Sequence, residues 1–114
     1  MLAEDSDWQR TLHGLFRTAR REGWTRRPLS MTVLWRTDNA RDRQALLLQA
    51  EAEGGTVQGP EDVQNYGEAY GDSDVAVRFA VAPTLADVDG LLLRVRTLAS
   101  EYRAELRSVG LGPG

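Results

Sequence analysis

The pattern of apolar positions is clearest in the last third of the chain, where it predicts a strand followed by a long helix. Large apolar residues alternate from Val75 to Val81, which is typical of a strand with one buried face. Pro83 ends this strand because it has no N–H to donate, and Thr84 with Asp87 forms a capping box. The helix that follows carries apolar residues at helical spacing, and these must cover an apolar surface: Val88, Leu91, Leu92, Val95, Leu98, Ala99 and Tyr102. A short closing strand is expected over residues 104–109.

The beginning of the chain predicts a helix and then a strand. A capping box at Ser6 and Gln9 begins the helix, and Gly23 suits its C-terminal end. The apolar stripe of this helix comprises Trp8, Leu12, Leu15, Phe16 and Ala19. After a connector that contains Pro28, the alternation over Leu29–Arg36 predicts a strand with Leu29, Met31, Val33 and Trp35 on one face.

A second helix and a short strand complete the pattern. The helix is expected from Ala40 to Glu53, with Ala45, Leu47, Leu48 and Ala52 as its buried residues. Gly54 and Gly55 end it, and Thr56–Gln58 forms a short strand. The acidic segment after this strand holds Tyr66 and Tyr70; it is expected to extend the strand and then to turn before residue 75.

The order of these elements predicts an α+β (α/β) fold of the ferredoxin-like type, a βαββαβ sandwich with an extra N-terminal helix. Residues 29–114 form the sandwich, and residues 1–28 add the helix and its connector to the same domain. The apolar stripe of the added helix must lie on the edge of the sheet, on its open face or on a second copy of the chain. The expected core comprises Val33, Leu48, Val77, Phe79, Val81, Leu91, Leu92, Val95 and Leu98.

Composition restricts the class of protein further. A chain of 114 residues has room for one domain with one core. It has no cysteine, which excludes disulfides and thiolate chemistry. No apolar run approaches the roughly 20 residues of a membrane-spanning helix, and the first residues do not have the pattern of a signal peptide. We therefore expect a cytoplasmic protein with no membrane partner.

Charge is distributed unevenly, although the net charge is only −3. The segment from Arg10 to Arg43 contains nine arginines and three acidic residues, whereas the segment from Gln44 onward contains five arginines and eleven acidic residues. Such a run is most often a solvated surface. One group near the first helix is also a candidate for contacts with nucleic-acid phosphates: Arg17, Arg20, Arg21, Trp24, Arg26 and Arg27. The strand at Val75–Val81 lacks the glycine and aromatic motif of RNA-recognition domains, and this disfavours direct binding of nucleic acid.

Few residues support catalysis or a cofactor. His13 is the single histidine, and its neighbours in sequence supply neither an orienting carboxylate nor a nucleophile. No spacing of a known metal site occurs. The glycines at 54, 55 and 59 do not open a helix, so they do not form a phosphate-binding loop. We expect a protein that is not an enzyme and that has no metal and no cofactor.

The layout as a whole resembles the regulator of ribonuclease activity B family, the protein inhibitors of ribonuclease E. The resemblance rests on the run from Pro83 to Tyr102, on Gly54-Gly55-Thr56-Val57 and on the polar link Pro60-Glu61-Asp62. The Glu-Tyr-Asp-Gly-Trp-Gly signature of that family is replaced here by the run Glu105–Gly110, which keeps only its first and last residues. The resemblance implies a ferredoxin-like fold and a regulatory function, inhibition of a ribonuclease by protein–protein contact.

A protein partner would bind the sheet face that the helices leave open. Arg78, Leu34 and Arg36 are expected on this face, with Tyr66 and Tyr70 beside it. Arginine and aromatic anchors carry much of the binding energy in interfaces. A homodimer is a second arrangement that would bury part of this face. The alternative function is a small-molecule sensor or an RNA-contacting module, and a deep apolar pocket with convergent polar groups would favour the sensor.

Overall fold

A computed structural model describes residues 2–58 and 73–114, with side chains from Asp7 onward. A short 3₁₀ turn at Trp24–Arg26 links the first helix to the first strand. The helices and strands are α1 (Leu2–Arg21), β1 (Leu29–Arg36), α2 (Ala40–Ala52), β2 (Thr56–Gln58), β3 (Asp74–Val81), α3 (Leu85–Glu101) and β4 (Glu105–Pro113). The chain is therefore a mixed α+β protein.

The four described strands form one antiparallel sheet in the order β2-β3-β1-β4. β1 lies in the interior of the sheet, where Val33 is opposite Val77 of β3 and Val109 of β4. The pairing of β1 with β4 shifts between Leu34 and Trp35. Arg107 is the extra residue at this shift, and such a bulge redirects the side chains near the end of a strand.

The three helices pack on one face of the sheet. β1 and β3 contribute their alternate residues to a single apolar cluster, which also contains Leu46 and Ala50 of α2 and the buried residues of α3. Within it, the rings of Trp35 and Phe79 meet edge to face at 6.4 Å, an arrangement that aromatic pairs prefer. The indole Nε1–H of Trp35 donates to the backbone oxygen of Val95 at 3.2 Å, which satisfies its buried polar atom.

α1 belongs to the same cluster, because Leu12, Phe16 and Ala19 are buried within it. The helix contacts β4 and α3. His13 Nε2 lies 2.8 Å from the carboxylate of Asp89 on α3. α1 therefore extends the helical layer beside α3 and does not cover the opposite face of the sheet. No described helix is long and apolar enough to cross a membrane.

The buried face of α2 differs from the expectation. Leu46 and Ala50 are its fully buried residues, whereas Leu48 is 62% exposed and Ala52 is exposed. Gly55 gives the physical reason: a Cβ at this position would lie 2.5 Å from Cγ1 of Val77 and 2.9 Å from the backbone oxygen of Ala50. This close approach sets the rotation of α2 on β3 and places Leu46 inward.

Other differences lie at the ends of elements and at the edge of the core. α1 begins at Leu2, so Ser6 lies inside the helix and not at its start. β4 continues to Pro113, four residues beyond the expected end. Leu91 is only half-buried, at the margin of the apolar cluster. The remaining expected core residues are buried: Val33, Val77, Phe79, Val81, Leu92, Val95 and Leu98.

Candidate functional site

The sheet face opposite the helices, which we term the outer face, carries the predicted protein-binding residues that the structure describes. Arg36 and Arg78 are exposed on it. Arg78 lies opposite Thr32 of β1 and Thr56 of β2, so threonine side chains flank it on both sides. Arg36 is opposite Asp74 and Glu105 at the end of β1, and its Nε lies 4.0 Å from Asp38. The outer face therefore presents two arginines on neighbouring strands.

Leu34 of β1 lies between Arg36 and Thr32, the residue opposite Arg78, but it is only 8% exposed. It pairs with Ala76 of β3, which is fully buried. Leu34 therefore has little surface to offer a partner and contributes to the rigid base of the outer face. Tyr66 and Tyr70 lie outside the described residues.

Charged side chains at one end of the outer face are partly buried. The carboxylate of Asp74 is 3.9 Å from a guanidinium nitrogen of Arg107. Asp74 is buried, with 7% of its surface exposed, and a partly desolvated ion pair is screened less by salt than an exposed one. The bulge in β4 brings Arg107 toward this carboxylate, and their attraction helps to join the two strands that flank β1.

A cleft of about 780 Å³ opens where the N-terminal part of α1 meets the end of α3 and the start of β4. We term it the α1–β4 cleft. Its lining combines an indole ring, two guanidinium groups, two carboxylates and two hydroxyls, from Asp7, Trp8, Thr11, Arg96, Ala99, Ser100, Ala104, Glu105, Leu106 and Arg107. Clefts of this volume accommodate small molecules. Sequence spacing did not reveal this cleft because its α1 wall lies more than 80 residues before the α3 and β4 walls in the chain.

The predicted nucleic-acid residues lie together at the end of α1 and in the 3₁₀ turn. Arg17, Arg20 and Arg21 are exposed on the helix, and Arg26 and Arg27 are exposed after it. Trp24 is half-buried and packs against the apolar cluster. The arginines are therefore available to solvent, whereas much of the indole is not available for stacking on a base.

An ion pair joins the end of α2 to the middle of α3. Nε of Arg94 lies 2.5 Å from one carboxylate oxygen of Glu53, and Nη2 lies 2.6 Å from the other. Gln49 donates a further hydrogen bond to Glu53 at 2.9 Å. The hydrogen bonds from Arg94 are the main reason why the pKa of Glu53 is lowered from its ordinary value, and partial desolvation opposes them. The pair holds the two helices together.

His13 and Asp89 are the two groups that most resemble part of a catalytic relay. The carboxylate that the sequence did not supply comes from a residue 76 positions away. Within residues 7–58 and 73–114, no serine or threonine hydroxyl is hydrogen-bonded to this imidazole. The same part of the chain contains no group of three or more acidic or histidine side chains that could hold a metal ion. The contact between His13 and Asp89 joins α1 to α3.

Comparison of the chain with protein-family models, with curated proteins and with solved structures finds no significant match.

Proposed function

We propose that this chain is a non-catalytic regulatory protein of the bacterial cytoplasm that acts by protein–protein contact. The partner would be a ribonuclease, as for the ribonuclease E inhibitors that the sequence resembles, and the effect would be to modulate RNA turnover. The basis of the resemblance is the run from Pro83 to Tyr102 together with Gly54-Gly55-Thr56-Val57. These residues form α3, its cap and the turn into β2.

The same proposal includes a ferredoxin-like fold with an added N-terminal helix. The described elements from β1 to β4 follow one another as strand, helix, strand, strand, helix and strand. The strand order β2-β3-β1-β4 with antiparallel neighbours supports this topology. Fold alone does not determine function, so the argument for a partner rests on the outer face.

The observation that carries the proposal is the exposure of Arg36 and Arg78 on a sheet face that no described helix covers. A guanidinium group can donate two parallel hydrogen bonds to one carboxylate, which makes arginine a frequent anchor in interfaces. The buried pair Leu34 and Ala76 gives these anchors a rigid support. An acidic segment of a partner would complement both arginines.

The test is a binding and cleavage assay with purified ribonuclease E from the source organism. The wild-type protein is expected to bind the enzyme and to slow its cleavage of an RNA substrate. The Arg36→Ala/Arg78→Ala variant should bind at least about tenfold more weakly, because truncation of an anchor residue typically costs more than 1 kcal/mol. The Arg41→Ala/Arg103→Ala variant is the matched control, since both residues are exposed and lie elsewhere.

Two results would contradict the proposal. Absence of binding by the wild-type protein would remove ribonuclease E as the partner. Equal loss of binding in the Arg36/Arg78 and the Arg41/Arg103 variants would show a general charge effect and would remove the outer face as the site.

The α1–β4 cleft supports a second candidate function, the sensing of a small molecule. Its lining offers the ring of Trp8 for stacking and charged groups of both signs, Arg96 and Glu105 among them. A metabolite library screened by thermal shift should then raise the unfolding temperature for at least one compound. Bound compound should also change the fluorescence of Trp8 in a Trp24→Phe/Trp35→Phe background. A library without any stabilising compound would contradict this candidate.

A further inference from the structure

We infer that the outward surface of α1, with the 3₁₀ turn after it, binds the phosphodiester backbone of a nucleic acid without regard to base sequence. This binding goes beyond the proposed protein contact and does not depend on it. The surface, which we term the arginine row, consists of Arg10, Arg17 and Arg21 on α1, flanked by Arg20, Arg26 and Arg27.

Helix geometry aligns the three arginines of the row. At 3.6 residues per turn, Arg10, Arg17 and Arg21 fall within an arc of about 40° on the side of α1 opposite Leu12 and Phe16. With a rise of 1.5 Å per residue, the row is about 16 Å long, which is enough to contact several consecutive phosphates of one strand. Gly14 lies in the row between Arg10 and Arg17, so no bulky side chain interrupts it. Arg10 was not among the predicted residues, although its spacing of seven from Arg17 would have identified it.

The charge of this surface is not compensated within the described part of the chain. All six arginines are exposed, and no acidic side chain there forms an ion pair with any of them. By contrast, Arg36, Arg94 and Arg107 each lie within 4.0 Å of a carboxylate. Glu22 is the single acidic residue between Arg10 and Arg27 in the sequence. A linear row of uncompensated guanidinium groups matches the charge of a polyphosphate strand.

The burial of the opposite side of α1 favours nucleic acid over a lipid surface. An amphipathic helix binds a membrane by inserting its apolar face among the lipids. Leu12, Phe16 and Ala19 form that face here, and they are buried against β4 and α3. Insertion would require α1 to leave the core. Trp24, which follows the row in the 3₁₀ turn, packs against the same core, which limits base stacking and leaves the phosphates as the main contact.

The test measures binding of fluorescently labelled oligonucleotides of about 12 nucleotides to the full chain by anisotropy. Four probes are compared: oligouridine RNA, oligoadenosine RNA, oligothymidine DNA and polyglutamate. The wild-type protein should bind all three nucleic acids with affinities within about tenfold of one another. Comparison of the RNA probes with the DNA probe shows whether RNA or DNA is preferred. With one phosphate contact for each of the three aligned arginines, the slope of log K against log salt concentration should be about −2, from about −0.7 per contact on a single strand.

Matched variants locate the site. Arg17→Glu/Arg21→Glu should weaken binding at least tenfold and reduce the magnitude of the salt slope by about 1.4, because two phosphate contacts are lost. Arg41→Glu/Arg103→Glu makes the same change in net charge at exposed positions outside the row and should weaken binding far less. Arg17→Lys/Arg21→Lys keeps the charges and should keep most of the affinity. Circular dichroism verifies that each variant is folded.

Several outcomes would overturn the inference. These are no binding of RNA or DNA at low salt, tighter binding of polyglutamate than of the nucleic acids, a strong preference for one base, and equal loss in the two glutamate variants. Binding to vesicles of anionic lipid, without binding to any oligonucleotide, would assign the row to a membrane surface. A failure here leaves the ribonuclease contact of the outer face intact, since Arg36 and Arg78 are unchanged in these variants.

Discussion

Two leucines of α2 lie two positions apart and have opposite environments. Leu46 is fully buried in the apolar cluster beneath the helices, whereas Leu48 is 62% exposed. The same contrast occurs on α3, where Leu92 is 3% and Leu93 is 62% exposed. Each pair compares one type of side chain in two environments on one helix.

Truncation of these leucines to alanine should lower the free energy of unfolding at the buried positions and change it little at the exposed ones. Leu46→Ala and Leu92→Ala should each lower the free energy of unfolding by about 2–5 kcal/mol, because lost burial and a residual cavity both contribute. Leu48→Ala and Leu93→Ala should change it by about 0.5 kcal/mol or less. Urea unfolding of the four variants measures the differences. Similar losses at Leu46 and Leu48 would show that α2 is rotated differently from this structure.

The sequence predicts the buried residues of the strands better than it predicts the buried residues of α2. In β1, alternation admits only two faces, and one of them contains Leu29, Met31, Val33 and Trp35. In α2, three leucines are consecutive, so the pattern fits several rotations of the helix. The close approach of Gly55 to Val77 selects one rotation, and that contact depends on the pairing of distant parts of the chain.

The contacts between helices could not be predicted from the sequence either, because they also join residues that are far apart in the chain. Arg94 meets Glu53 across 41 positions, and His13 meets Asp89 across 76. No local spacing joins such residues. The predicted arginines of the outer face were different, because strand alternation alone places Arg36 and Arg78 away from the core.

The ion pair between α2 and α3 should make stability depend on pH in the acid range. Arg94 lowers the pKa of Glu53 below its ordinary value of 4.5. A group with a lowered pKa in the folded state stabilises that state above its unfolded pKa, and the contribution is lost as pH falls through the folded pKa. Wild type should therefore be more stable than Glu53→Gln near neutral pH.

The difference between these two proteins should shrink as the pH falls below about 4.5, where Glu53 of the unfolded chain takes up protons, and further as the pH passes through the lowered pKa of the folded state. Urea unfolding at a series of pH values measures it. Glu51→Gln, an exposed change on the same helix, controls for the general loss of a negative charge. A difference that stays constant from neutral to acid pH would show that Glu53 acts through something other than its charge.

For the whole molecule, the packing of α1 into the common core has a direct consequence for cooperativity. Leu12, Phe16 and Ala19 share one apolar cluster with the sheet and with α3. Domains of this size with a single core usually unfold in one transition. α1 should therefore unfold together with the sheet.

Tryptophan positions allow a test of this cooperativity. In a Trp35→Phe variant, the remaining tryptophans are Trp8 of α1 and Trp24 of the 3₁₀ turn, so fluorescence reports mainly on the docking of α1. Its unfolding curve in urea should coincide with the curve from far-ultraviolet circular dichroism, which reports on all helices and strands. A fluorescence change at clearly lower urea would show that α1 detaches before the rest unfolds.

The interior position of β1 also determines how the protein exchanges its amide hydrogens with solvent. β1 is paired along Leu29–Arg36 with β3 on one side and with β4 on the other. Local fluctuations can expose the three-residue β2, but they cannot expose β1 without separating it from strands that lie far from it in the chain. Exchange at β1 therefore proceeds through the global opening of the molecule, and its slowest amides measure the stability of the whole fold.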